Sequence, residues 1–184
     1  MRAIFIGFLL LLMVPSTVAA GRELYPVNEL LVAVQAGDLE TVAQLLARGG
    51  NPNTVDKTGK TPLIYAAAAG NVDVIEIVMQ FRPSVDDRDR VGNTALFYAA
   101  IRGQSQAVAA LITARADVNN ENSQGITPLM AAAKGGHVEA VRMLLSRGAD
   151  ATRTDFTGRT ALAGAEWNRR RAVVRALRRA GVRE

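Results

Sequence analysis

The sequence predicts an all-helical solenoid, a stack of helix-turn-helix units joined by short β-turn or hairpin loops. Two sets of observations lead there. Thr61, Thr94, Thr127 and Thr160 recur every 33 residues, and Gly59, Gly92, Gly125 and Gly158 keep the same interval. Leu30, Leu63, Leu96, Leu129 and Leu162 run in that register, as do Ala33, Ala66, Ala99, Ala132 and Ala165. Between these columns, apolar residues fall at i, i+3 and i+4, the spacing of a helix with one buried face.

In chain order, residues 1–20 read as an export signal. Arg2 precedes the apolar run Ala3 to Val14, and Val18, Ala19 and Ala20 precede Gly21. A positive start, an apolar stretch and small residues make a cleavable signal peptide, with cleavage expected after Ala20. The run is shorter than the roughly 20 residues a helix needs to span a bilayer, which places an uncleaved anchor second. The repeat domain is expected over 21–184, with units at about 28–53, 56–88, 89–121, 122–154 and 155–184.

In the first unit Asn28 and Glu29 stand where later units have Thr and Pro. The pairs Thr61-Pro62 and Thr127-Pro128 are helix starts, a capping hydroxyl followed by a ring that suits the first turn. Ala95 and Ala161 replace that Pro in the third and fifth units. Gly37, Gly70, Gly103 and Gly136 end the first helices, where a left-handed residue is needed. Second helices bury Val42, Leu45 and Leu46; Ile75, Val78 and Met79; Val108, Leu111 and Ile112; Val141, Leu144 and Leu145. The last second helix, expected from Arg169 to Ala180, keeps Val173, Val174 and Leu177 but is otherwise mostly Arg. A polar outer face is what the end of a stack requires.

Set in one register, the units read DKTGKTPLIYAAAAG from Asp56, DRVGNTALFYAAIRG from Asp89, NSQGITPLMAAAKGG from Asn122 and DFTGRTALAGAEWNR from Asp155. They resemble the ankyrin repeat, D-x-x-G-x-T-P-L-H-x-A-A-x-x-G, over roughly residues 28–181. The family His is replaced by Ile64, Phe97, Met130 and Ala163, so its imidazole hydrogen bond near the turn is absent. The resemblance implies an ankyrin-repeat solenoid that serves as a non-catalytic protein-protein interaction module. Its partner would meet the loop tips and the exposed side of the first helices, which line a concave face.

Carried over position by position, that face holds Lys57 and Lys60 in the second unit, and Arg88, Arg90, Asn93, Ile101 and Arg102 in the third. Gln124 and Lys134 follow in the fourth, then Phe156, Arg159, Trp167 and Asn168 in the last. Trp167, the only Trp, either anchors a partner or covers the end of the stack. Tyr65 and Tyr98 fall on a normally apolar position and are expected to pack against neighbouring helices. The chain also resembles small exported bacterial ankyrin-repeat proteins, some of them associated with catalase and resistance to peroxide. That implies a protective or scaffolding role; an immunity or inhibitor protein that blocks a toxin or an enzyme is the alternative.

The formal charge is +5 and the pI about 10.2, yet the positive charge is concentrated at one end. Residues 21–152 carry 12 basic against 14 acidic residues, whereas 153–184 carry 9 Arg against 3 acids. Arg171, Arg175 and Arg178, at i, i+4 and i+7, form a basic stripe along the last helix. It reads as a solvated cap face or as a dock for an acidic protein or anionic lipid headgroups. Nucleic acid is not expected, because an exported chain seldom meets it.

Catalytic chemistry has little to work with. The chain has no Cys, which removes thiol nucleophiles and Cys-ligated zinc and leaves packing as the source of stability. His137 is the only His, which removes a two-His metal site, and it reads as a helix-start residue after Gly136. The run Asp86-Asp87-Arg88-Asp89 lacks the Gly and distal Glu of a calcium loop and reads as solvated loop acids. The expectation is a monomer without catalytic residues, cofactor or metal, working in a bacterial periplasm by contact with another protein. Membrane contact would be confined to the basic stripe or an uncleaved signal.

Overall fold

A computed structural model describes residues 28–183; the signal segment 1–20 and its expected cleavage site lie outside them. The helices are α1 (Glu29–Ala36), α2 (Leu39–Ala47), α3 (Pro62–Ala69), α4 (Val72–Gln80), α5 (Ala95–Arg102), α6 (Ser105–Thr113), α7 (Pro128–Gly135), α8 (Val138–Ser146), α9 (Ala161–Trp167) and α10 (Arg171–Arg179). Odd-numbered helices pack on one another in one layer and even-numbered helices in a second. No strand occurs among the described residues, so the solenoid is all-α.

The repeat columns explain this order locally. The hydroxyls of Thr61, Thr94, Thr127 and Thr160 accept the amides of Ile64, Phe97, Met130 and Ala163, each satisfying a donor that the first turn leaves open. Leu63, Leu96, Leu129 and Leu162 are buried between the layers, and Ala66, Ala99, Ala132 and Ala165 let the helices approach. In the even layer the first two residues of the Ile75, Val108 and Val141 sets are buried, and the third is half-covered. Each unit lends its apolar face to the next, so stability belongs to the stack and not to any one pair.

At the C-terminal end α10 begins at Arg171, two residues later than the sequence suggested. Arg169 has φ +56° and occupies the left-handed turn that Gly supplies in earlier units, so it belongs to the connection.

The loops carry their own ladder. Asp56, Asp89, Asn122 and Asp155 each accept two backbone amides through Oδ1, from residues two and four positions on, at 2.8 to 3.0 Å. Successive loops are then stapled: Arg90 N–H donates to Thr58 O, Ser123 N–H to Val91 O and Phe156 N–H to Gln124 O, at 3.0 to 3.1 Å. Along the opposite edge Ser84, Asp117 and Asp150 amides donate to the side chains of Asn53, Asp86 and Asn119 in the preceding unit.

This corrects the reading of Asp86-Asp87-Arg88-Asp89 as merely solvated acids. Asp89 is buried and bonded to its own turn, and Asp86 joins the second unit to the third. Burial raises the Asp86 pKa, against the bond from the Asp117 amide.

Candidate protein-binding surface

The exposed edge of the odd-numbered helices and the adjoining loop tips form one surface. Lys57, Arg88, Arg90, Ile101, Arg102, Gln124, Lys134, Phe156, Arg159 and Trp167 are exposed there, while Lys60 and Asn168 are partly covered. Asn93, expected with them, is buried instead. Its side-chain carbonyl accepts from Asn122 Nδ2 at 2.9 Å, and its own amide nitrogen faces the Tyr98 hydroxyl at 3.4 Å. It braces the third loop against the fourth, because a buried amide must find partners within the protein. Arg88 is exposed but tied to the Asn120 side chain of the next unit.

The two tyrosines pack against the core, as expected, and also bond to the turn. Tyr65 and Tyr98 are half-buried, and their hydroxyls donate to Asp56 Oδ2 at 2.6 Å and Asp89 Oδ2 at 2.7 Å. A phenol one residue after the missing family His thus supplies a bond to the turn. Lys60 Nζ lies 5.7 Å from the Tyr65 ring and 5.0 Å from the Tyr98 ring, a cation over two aromatic faces.

Burial works against the Asp56 carboxylate, but hydrogen bonds from Tyr65, Thr58 and the Lys60 amide outweigh it and hold its pKa at about 2. Burial, then the neighbouring Asp56, pushes the Tyr65 phenol up to about 12. The Asp56 contribution to stability is complete above the ordinary value of 3.8 and disappears as pH falls toward 2. That of Tyr65 is complete below 10.0 and disappears as pH rises toward 12. Tyr65→Phe is therefore expected to cost about 1 kcal/mol at pH 7, the bond being partly solvated, and markedly less at pH 2. Urea titrations at both pH values check this; an undiminished difference at pH 2 would refute the assignment.

His137 stands at the start of α8, as the sequence suggests, but its side chain makes no capping hydrogen bond to that helix. Its Nε2 lies 3.0 Å from Ile101 O, so that nitrogen carries the proton, since a carbonyl can only accept. Gln104 and Arg170, in the same repeat position, reach back to Ala69 O and Lys134 O in the preceding units. These three side chains serve the open carbonyl end of each earlier odd helix.

In the last unit the surface changes character. Gly164 stands where Tyr65 and Tyr98 stand earlier, and Ala131 where the fourth unit would have one. A Cβ built on Gly164 meets nothing within 4 Å. The result is a depression walled by Ile126, Met130 and Lys134 on one side and by Asp155, Arg159 and Trp167 on the other. The Arg159 guanidinium lies over the Trp167 ring at 5.0 Å, which holds the indole upright although it is 74% exposed. Phe156, also 74% exposed, sits at the adjacent loop tip with its ring over Gly125.

Arg171, Arg175 and Arg178 are exposed together on α10, as the spacing predicts. Arg178 is not unpaired, for its guanidinium bonds Glu166 at 2.7 Å. Among the described residues no group of three or more His, Cys, Asp or Glu is placed to hold a metal ion. None of the described helices is long and apolar enough to cross a membrane.

Paired helices stacked in two layers, with variable side chains along one edge, define a helical-repeat binding protein. A family model described as ankyrin repeats (3 copies) matches residues 30–122 and 102–183. The chain belongs to the ankyrin-repeat family, whose fold generally mediates contact with another protein. No curated protein matches the chain.

Proposed function

We propose that this protein is an exported, periplasmic, non-catalytic binding protein with a protective or scaffolding role, docking its partner on the C-terminal half of the odd-helix edge. Support for export comes from the signal-like order of residues 1–20. The observation that carries the docking surface is the exposure of Trp167 and Phe156 in the last unit, with the Arg159 guanidinium over the indole and Lys134 across the recess. Leaving such rings in water forgoes on the order of 2 kcal/mol each, which a covering partner recovers. A central aromatic within a polar rim is the usual anatomy of an interface hot spot. The arginine face of α10 adds long-range attraction for an acidic partner, felt most at low salt.

Trp167→Ala tests this reading. Affinity capture from a periplasmic extract should yield a partner with the parent chain and lose it with the variant. The expected loss is about 2 kcal/mol, or roughly 30-fold in affinity. The melting temperature should barely move, because the indole is mostly outside the core. Undiminished capture by the variant would take Trp167 out of the interface.

A further inference from the structure

The second, third and fifth units begin with the same aspartate, and they differ in what meets its outer oxygen. In the second and third, Oδ1 of Asp56 or Asp89 organises the turn while Oδ2 accepts a tyrosine hydroxyl from the following helix. Asp155 keeps the first half of this arrangement, its Oδ1 accepting from Thr157 and Arg159 amides at 2.8 and 3.0 Å. The second half is missing. With Gly164 in the tyrosine column, Asp155 Oδ2 has no hydrogen-bond partner among the described residues, and the volume of a phenol ring stands open before it.

We infer that this depression receives a tyrosine side chain from the protein partner, which completes in trans the Asp–Tyr pair that the earlier units make in cis. The inference rests on the protein-binding reading above and names the group that enters.

The walls suit that guest. Ile126 stands to Gly164 as Lys60 stands to Tyr98, so an apolar side chain takes the place of the ammonium on the flat of the ring. Met130 and the Trp167 indole supply polarisable surface on either side. Asp155 remains ionised: burial works against it, but bonds from Thr157 and Arg159 prevail and lower its pKa. A carboxylate held in place before an apolar recess selects a guest with a ring and a hydroxyl donor. An entering lysine or arginine would also find that carboxylate, but Arg159 near it and Lys134 on the wall of the recess repel a second cation.

The probe is p-cresol, the tyrosine side chain alone, compared with 4-methylanisole, in which a methyl group replaces the donated proton. The 15N-labelled full chain has a single indole, so one Trp cross-peak reports the site. Saturable shifts of the Trp167 indole and the Gly164 amide are expected with p-cresol, with a dissociation constant on the order of 10 mM. The ether should bind about tenfold more weakly.

Asp155→Asn should abolish that preference without unfolding the turn, since Asn122 already organises the same turn in the fourth unit. Gly164→Tyr should fill the recess from within, suppress the p-cresol shifts and raise the melting temperature. Equal response to cresol and ether, no saturable shift, or stronger binding of n-butylammonium would each overturn the inference. Partner capture that depends on Trp167 could still stand in those cases, so failure here is distinguishable from failure of the docking surface itself.

Discussion

Leu96→Ala is expected to destabilise the protein by about 3 kcal/mol, lowering the melting temperature by roughly 10 °C. Leu96 is fully buried in α5, the middle helix of the odd layer, where α3 packs on one side and α7 on the other. Removing its isobutyl end leaves a cavity between two interfaces, and neighbouring helices held on both sides cannot collapse into it. In a stack whose cohesion is nearest-neighbour, loosening the centre also uncouples the halves. Denaturant unfolding should show a lower midpoint and a broader transition. Leu162→Ala, in the last odd helix, should cost less, because that unit can open while the others remain folded. Equal losses at the two positions would contradict nearest-neighbour cohesion.

Gly92→Ala is expected to cost about 2 to 3 kcal/mol, and Gly158→Ala only about 1. Both glycines occupy the left-handed region, with φ of +81° and +80°, so both substitutions carry the same backbone strain. They differ in what the added methyl meets. At Gly92 it would lie 2.8 Å from Ser123 N, the group whose hydrogen bond to Val91 O staples the third loop to the fourth. At Gly158 it meets nothing within 4 Å. The difference in unfolding free energy between the two variants therefore measures the inter-unit staple, and amide exchange at Ser123 should accelerate only in the Gly92 variant. Identical costs would show that the loops hold each other weakly.

Much of the fold was legible before any coordinates. Thr61 and its equivalents cap a helix three residues away, and Gly70 and its equivalents turn the chain where they stand, so both columns act within one turn of backbone. The buried Leu and Ala columns follow from a repeat in which every unit must present the same face to the next. The exposed edge was partly legible for a related reason: positions such as 101, 102 and 167 vary where the frame does not, and they are exposed.

What the columns could not show was the partner each polar group finds. Asn93 looked like a surface residue because the ankyrin resemblance puts its column on the binding face; only Asn122, 29 residues on, makes it a buried brace. The phenols of Tyr65 and Tyr98 looked apolar in register until the turn carboxylates came within 2.7 Å. His137 is the helix start it looked like, but the register could not show that its ring serves a carbonyl 36 residues earlier.

By itself, then, the sequence determined the number of units, their register, the caps and turns that bound each helix, and the family. Those features depend on contacts within a few residues, repeated at a fixed period, and a period is visible in one dimension. The tertiary structure alone decided which side chains bridge neighbouring units, which of the exposed positions stay exposed, and that the loss of a ring at Gly164 opens a recess in front of Asp155. Each of these depends on what a neighbouring unit places within a few ångströms, and a hydrogen bond or a vacancy is set by that distance, whatever the separation along the chain.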